Sequence, residues 1–272
     1  MVIPVHDVNP VRRPAVVTYL IVAVNVAVFL LGPASFAVLD GTSPAEACRQ
    51  QAYFAEYGAV PRELLGGPPP QRVPGPPARD AAGRVGCVAV PPDYVKNPLL
   101  SVLTAMFVQA GWVHLLGNML YLLIFGNNVE DRLGRVRFGL FYLVSGFAAA
   151  YGYAVVNPGS TTPLVGASGA IAGVLGAYLM MFPRARVWSL VPVLFFLPLR
   201  LPAWLVLGLW FLLQWLYAQG TGVGAGANVA YLAHVVGFVV GLLVGAAIGP
   251  PRRPQPGHAL PGGPYRPPGR YG

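Results

Sequence analysis

Long apolar segments separated by short polar ones make up most of the chain. A membrane-spanning helix needs about 20 predominantly apolar residues, and six segments approach or reach that length. They are Ala15–Leu31, Val113–Val129, Phe138–Val156, Val165–Phe182, Ala203–Ala218 and Val229–Ile248. The pattern predicts an all-α membrane protein built as a bundle of six transmembrane helices.

A seventh apolar stretch, Val187–Leu199, is harder to interpret. It is only 13 residues long and contains Pro192 and Pro198, which lack a backbone donor. A segment this short is more typical of an interfacial or re-entrant element than of a spanning helix. We therefore predict six spans and not seven.

Composition and charge support a multi-pass membrane protein. Hydrophobic residues make up 55% of the chain and charged residues 10%, with a mean hydropathy of +0.58. With the N-terminus inside, 12 of the 18 basic residues fall in four inner segments, as the positive-inside rule expects. These arginines are dispersed and not clustered with aromatic residues, so the net charge of +9 indicates contact with anionic lipid and not with nucleic acid.

The spans divide the chain into three parts. Residues 1–14 form an inner tail, residues 15–248 form the membrane domain and residues 249–272 form a second inner tail. Within the domain, residues 32–112 form a long outside segment that carries a Pro/Gly-rich insert at Gly66–Pro77. Neither this insert nor the tail from Pro250 to Gly272 can bury a core, so both are expected to be disordered or extended.

The two cysteines, Cys48 and Cys87, both lie in the outside segment. Unrelated thiols are one interpretation. On the outer side of a membrane a disulfide is favoured.

Ser168 lies inside the fourth apolar span and His234 inside the sixth. Buried polar groups in a membrane are costly and indicate function, and a histidine base is a common activator of a serine hydroxyl. The fourth and sixth spans run parallel. Ser168 lies at the outer start of its helix and His234 about 8 Å below the start of its own, so the two can share a depth.

Small residues recur every four positions on both of these spans. Gly169 and Gly173 precede Ala177 in the fourth span, and Gly237 and Gly241 precede Gly245 in the sixth. Such stripes let helix backbones approach closely in lipid. On their own they indicate only generic helix packing.

The second span begins with His114 and Asn118, whose i, i+4 spacing places them on one helical face. Together with the backbone N–H of Ser168 they are candidates for an oxyanion hole. The alternative is that they only bridge neighbouring helices.

None of the six spans contains an Asp or Glu, so the predicted machinery is a Ser–His dyad. The same pattern argues against an aspartyl protease and, without a His-Glu-x-x-His motif, against a zinc protease. We expect no metal and no cofactor. A transporter is disfavoured because no charged relay lines the spans.

At these residues the chain resembles the rhomboid family of intramembrane serine proteases. The similarity lies in QAGWVHLLGNMLYLLIFGNNVEDRLG (residues 109–134), GASGAIAGVLG (166–176) and AHVVGFVVG (233–241). The resemblance implies a six-helix bundle with Ser168 as nucleophile, His234 as general base, and His114 with Asn118 at the oxyanion. It also implies that Glu130, Arg132 and Gly134 are structural, and that the fifth helix is a mobile gate.

Three positions depart from the family pattern. Gln109 stands where members often have His, Leu100-Ser101 where they often have Trp-Arg, and Ala172 where an aromatic residue often stacks on the histidine. The first two bear on how the outer segment is held, and the third on how the His234 ring is oriented.

The expected activity is cleavage of a transmembrane substrate segment near the outer face. The alternative is a catalytically inactive rhomboid-like module that binds membrane proteins. The composition fits a bacterial plasma membrane with both termini cytoplasmic. The expected partners are transmembrane substrates and the bilayer.

Overall fold

The structure, a computed structural model, describes residues 2–33, 43–79, 83–192, 195–220 and 229–250. Within these ranges the chain is mostly helical. The helices are α1 (Val16–Leu31), α2 (Pro44–Tyr57), α3 (Pro61–Leu64), α4 (Pro98–Ala105), α5 (Trp112–Tyr121), α6 (Asn127–Leu133), α7 (Arg135–Val156), α8 (Ser168–Met181), α9 (Ala203–Ala218) and α10 (Tyr231–Ile248). The strands are β1 (Ile3–Asp7), β2 (Val73–Arg79), β3 (Val85–Val90), β4 (Arg186–Val191) and β5 (Leu197–Pro202). The prediction of an all-α fold is therefore wrong in this respect, since two small sheets accompany the helices.

Each of the six predicted apolar segments contains helix. The second one combines α5, a π-helical turn at Leu122–Gly126 and α6. By length and composition α7 and α10 are able to cross a membrane, while α1, α8 and α9 are apolar but shorter. Six membrane crossings thus stay a prediction.

Helix α8 lies at the centre of the molecule. Every residue from Ala170 to Tyr178 is buried, and α8 packs against both α7 and α10. On α10, a Cβ added to Gly237 or Gly241 would overlap the carbonyl oxygen of Gly169 or Gly173 respectively. The backbones of α8 and α10 therefore touch directly along the small-residue stripes.

A three-stranded antiparallel sheet lies at the end of the bundle opposite Ser168. Its order is β1-β4-β5, so the segment Val187–Leu199 contributes to two paired strands and not to a seventh helix, while its interfacial or re-entrant location stays a prediction. Pro198 is tolerated because β5 is an edge strand. Residues 3–7 pair with this hairpin, so part of the predicted N-terminal tail is ordered sheet.

The buried carboxylate of Glu130 binds the first turn of α1 at the end of the bundle that carries the three-stranded sheet. Its oxygens accept the backbone N–H groups of Val17 and Thr18, at 3.0 and 2.7 Å, and the Thr18 hydroxyl at 2.8 Å. The first N–H groups of a helix lack intrahelical acceptors and attract negative charge. Glu130 thus caps α1 from a neighbouring helix.

The described parts of the segment between α1 and α5, residues 43–79 and 83–111, meet the loop before α8, where Ala59 pairs with Leu164 and the Gly166 N–H donates to the carbonyl of Ala105. Cys48 of α2 and Cys87 of β3 form a disulfide, with Cα atoms 5.4 Å apart. A buried ion pair joins Lys96 to Glu63 at 3.1 Å. Burial lowers the pKa of Lys96, and the Glu63 carboxylate partly opposes that shift.

The Pro/Gly-rich insert is extended in its second half. Val73–Arg79 forms β2, which pairs with β3. Prolines fit there because each strand of a two-stranded sheet has a free edge. Most of the predicted C-terminal tail, residues 251–272, lies outside the described residues.

Candidate active site

Ser168 and His234 meet across the contact between α8 and α10. Ser168 is the first residue of α8 and His234 lies in the first turn of α10. Their Oγ and Nε2 atoms are 2.7 Å apart. Residues separated by 66 positions in the chain therefore share a hydrogen bond.

The other ring nitrogen of His234 contacts Gln214 of α9. The Gln214 Oε1 atom lies 2.7 Å from His234 Nδ1. An amide oxygen only accepts hydrogen bonds, so Nδ1 carries the proton in this arrangement. The lone pair of Nε2 is then available to the Ser168 hydroxyl.

Sequence reasoning missed Gln214. It is the only amide side chain in the apolar helix AWLVLGLWFLLQWLYA. Polar groups inside an apolar span are costly and indicate function, and this argument applies to Gln214 as it does to Ser168 and His234. The predicted Ser–His dyad rests on the absence of Asp and Glu from the spans, which leaves amide side chains such as that of Gln214 out of account.

Aromatic rings enclose the His234 imidazole on two sides. The ring of Trp210 lies 6.1 Å away at an interplanar angle of 33°, and that of Tyr231 lies 6.4 Å away at 85°. Trp210 belongs to α9 and Tyr231 to α10.

His114 reaches the same site from α5. Its Nδ1 accepts the backbone N–H of Ala110 at 3.2 Å, so in the neutral ring Nε2 carries the proton. A Cβ added to Gly166 would lie 2.8 Å from His114 Nε2 and 3.5 Å from Ser168 Oγ. The His114 donor therefore lies beside the serine, at a position that only a glycine with φ +120° leaves open.

Asn118 is held by a chain of buried amides. Its Nδ2 donates to Gln109 Oε1 at 2.8 Å, and Gln109 Nε2 donates to Asn25 Oδ1 at 2.7 Å. Asn25 Nδ2 in turn donates to the carbonyl of Ile21 at 2.9 Å. The chain fixes the Asn118 side chain while leaving it a second amide hydrogen.

Several of the side chains described above line one cavity of about 780 Å³. Among the described residues that line it, none is an Asp, Glu, Lys or Arg, and most are apolar. The polar or aromatic residues discussed above that line it are Ser168, His234, Gln214, His114, Asn118, Trp210 and Tyr231. The site thus offers a nucleophile, a base and hydrogen-bond donors in apolar surroundings.

A family model described as the rhomboid domain matches residues 96–251, more than half of the chain. The chain belongs to the rhomboid family. All of the site residues except Asn25 lie in the matched region.

Individual rhomboid relatives are similar over shorter stretches. RHOMBOID-like protein 6, mitochondrial, of Arabidopsis thaliana is 42% identical over 83 residues, which is 30% of this chain and 26% of that protein. RHOMBOID-like protein 1 of the same plant is 36% identical over 96 residues, 35% of this chain and 24% of that protein. Rhomboid protein 1, mitochondrial, of Saccharomyces cerevisiae is 33% identical over 117 residues, 41% of this chain and 32% of that protein. The chain thus spans about a quarter to a third of the length of these relatives.

The structure gives each departure from the rhomboid pattern a local context. Gln109 links Asn118 to Asn25 through its two amide atoms. Leu100 and Ser101 lie in α4, where Ser101 Oγ donates to the carbonyl of Pro98 at 2.6 Å. Ala172 is fully buried in α8, and the aromatic ring beside His234 at a tilted angle is instead that of Trp210 of α9.

Proposed function

We propose that the protein is an intramembrane serine protease that uses Ser168 and His234. The observation that carries the proposal is the 2.7 Å contact between Ser168 Oγ and His234 Nε2 inside a cavity shared with hydrogen-bond donors. A serine next to a histidine base is activated for acyl transfer.

The reaction proceeds in two stages. His234 Nε2 takes the Ser168 proton as the hydroxyl attacks a peptide carbonyl, and then gives it to the leaving amine. His234 next takes a proton from a water molecule, which attacks the acyl-enzyme carbonyl, and returns that proton to Ser168 Oγ as the bond between the acyl group and the serine breaks. No cofactor takes part.

Three donors stabilise the oxyanion. These are His114 Nε2–H, the second amide hydrogen of Asn118, and the backbone N–H of Ser168, which as the first residue of α8 lacks an intrahelical acceptor. Each such donor lowers the barrier by about 3 to 4 kcal/mol.

The substrates are transmembrane segments of other proteins, cut near the outer face. Rhomboid proteins are integral membrane proteins, and the chain crosses a bacterial plasma membrane six times with both termini cytoplasmic. Helix-weakening residues near the cut are favoured, because an intact helix hides its carbonyls in its own hydrogen bonds.

A fluorophosphonate probe tests the proposal on the purified full-length protein. Labelling of the wild type is expected to disappear in Ser168→Ala and His234→Ala and to persist in Ser160→Ala, which removes a half-buried serine of the loop before α8. Absence of labelling in a folded wild type would favour the alternative, a catalytically inactive module that binds membrane proteins.

A further inference from the structure

Helix α9 supplies two of the side chains that surround the His234 imidazole. Trp210 and Gln214 are four residues apart and so lie on one helical face. Gln214 is buried, with only 6% of its surface exposed. Its amide oxygen contacts His234 Nδ1 at 2.7 Å, as short as the contact of Nε2 with Ser168.

The Gln214 contact selects one of the two neutral forms of His234. If the proton were on Nε2, the lone pair of the ring would lie on Nδ1, and the nitrogen that faces Ser168 could not accept the serine proton. Because Gln214 Oε1 only accepts, it favours the form with the proton on Nδ1. It also opposes rotation of the ring, which would exchange Nδ1 for a carbon atom.

An amide suits this position better than a carboxylate would in the uncharged cavity. A carboxylate buried in apolar surroundings is expensive unless it is paired with a cation. The described lining contains no Lys or Arg that could pair with one. Glutamine provides the same acceptor oxygen without a charge.

We propose that Gln214 is a positioning residue that holds His234 in its reactive tautomer and orientation, with Trp210 packed against the ring. This inference rests on the proposed protease function and adds a third member to the serine–histidine pair. Gln214 touches neither Ser168 nor the scissile bond, and it acts only through His234.

The arrangement makes the base dependent on the position of α9. Aromatic contacts hold α9 against α10: Phe211 stacks on Phe238 at 4.7 Å, and Trp210 lies 5.9 Å from the same ring. If α9 moved away from α10, His234 would lose both its acceptor and its flanking ring. The base is therefore oriented only while α9 is docked.

The test measures the rate of fluorophosphonate labelling as a function of probe concentration and pH. The variants are Gln214→Leu, which removes the acceptor, and Gln214→Glu, which keeps it. Gln219→Leu is the matched control, since it makes the same change at an exposed position just after α9.

We expect Gln214→Leu to lower the maximal labelling rate about 10- to 100-fold, a part of what a general base contributes, with little change in the half-saturating probe concentration. Gln214→Glu should recover only part of the rate, since its carboxylate lies in an uncharged cavity, and should move the acidic limb of the pH profile to higher pH, because a carboxylate favours the protonated imidazole. Gln219→Leu should label like the wild type.

The inference is overturned if folded Gln214→Leu labels at the wild-type rate with an unchanged pH profile. It is also overturned if Gln214→Glu neither restores the rate nor shifts the profile, since that result assigns Gln214 a packing role. Failure of the proposed function gives a different result, namely no Ser168-dependent labelling of the wild type.

Discussion

Gly241 of α10 lies directly on the backbone of Gly173 in α8, with no side chain between them. A Cβ at position 241 would overlap the Gly173 carbonyl oxygen and stand 2.9 Å from the Ala177 nitrogen. Backbone atoms cannot move aside as a flexible side chain can. The distance between these two glycines therefore fixes how closely Ser168 and His234 approach.

Gly241→Ala is expected to force α8 and α10 apart. Overpacking of this kind destabilises by about 1 to 3 kcal/mol, and it should also reduce labelling of Ser168 by separating it from His234. Gly208→Ala in α9 is the matched control, because its Cβ would meet no atom within 4 Å. Thermal unfolding in detergent measures the difference, and equal midpoints for the two variants would contradict direct backbone contact.

Gly166→Ala is expected to damage the proposed oxyanion site. Alanine is strained at φ +120°, and its Cβ would lie 2.6 Å from His114 Cε1, so the His114 ring must move. Loss of one oxyanion donor lowers the rate about 10²- to 10³-fold, and we expect the rate of fluorophosphonate labelling to fall by a factor in this range. Gly159→Ala in the same loop has open space around its Cβ and should label normally. Similar rates in both variants would exclude a role for His114 beside Ser168.

The amide chain behind Asn118 can be tested by a double-mutant cycle. Asn25→Leu leaves the buried Nε2 of Gln109 without its acceptor, and an unpaired buried group costs about 1 to 3 kcal/mol. Adding Gln109→Leu removes the unpaired donor, so the double variant should lose less stability than the sum of the single variants. Chemical unfolding measures the coupling, and strict additivity would show that the Asn25–Gln109 bond contributes nothing.

The buried Asp7 carboxyl predicts a pH dependence of stability. It accepts the Tyr178 hydroxyl at 2.5 Å and the Asn128 amide at 2.9 Å. Burial raises the pKa of Asp7, and Tyr178, the nearby His6 and Asn128 oppose the shift only in part. The protonated form is thus favoured in the folded state, so this contribution to stability is fully present below the unfolded pKa of about 3.9.

We expect that contribution to be lost as pH rises through the elevated pKa of folded Asp7. Asp7→Asn cannot ionise, so the difference in unfolding midpoint between wild type and variant should change with pH across this window. Midpoints measured in detergent at a series of pH values check the sign. A constant difference would mean that the pKa of Asp7 is the same in the folded and unfolded states.

The helices and the Ser168–His234 pair could be predicted from the sequence for clear physical reasons. Apolar segments of the length needed to span a membrane mark the helices. Ser168 and His234 each lie near the start of a helix, and both helices carry a face of small residues. The two residues lie at a similar depth in parallel helices, and the small side chains let those helices approach closely. These two facts suffice to predict that Ser168 and His234 lie near each other.

Other features depend on information that local patterns do not contain. The short apolar stretch that became β4 and β5 has no periodicity that separates strand from interfacial helix. One of the two partners of β4 is β1, which precedes it by about 180 residues. Gln214 required knowledge of which face α9 turns toward α10, and a mostly apolar helix gives little indication of its orientation.

The pairing of β1 with β4 also constrains the order of assembly during synthesis. About two thirds of the chain must be synthesised before residues 186–191 exist. Until then β1 has no strand to join, and Tyr178, which binds Asp7, is itself made only shortly before. The segment translated among the first is therefore among the last to reach its folded position, after α1 and α5 to α8 have already been made.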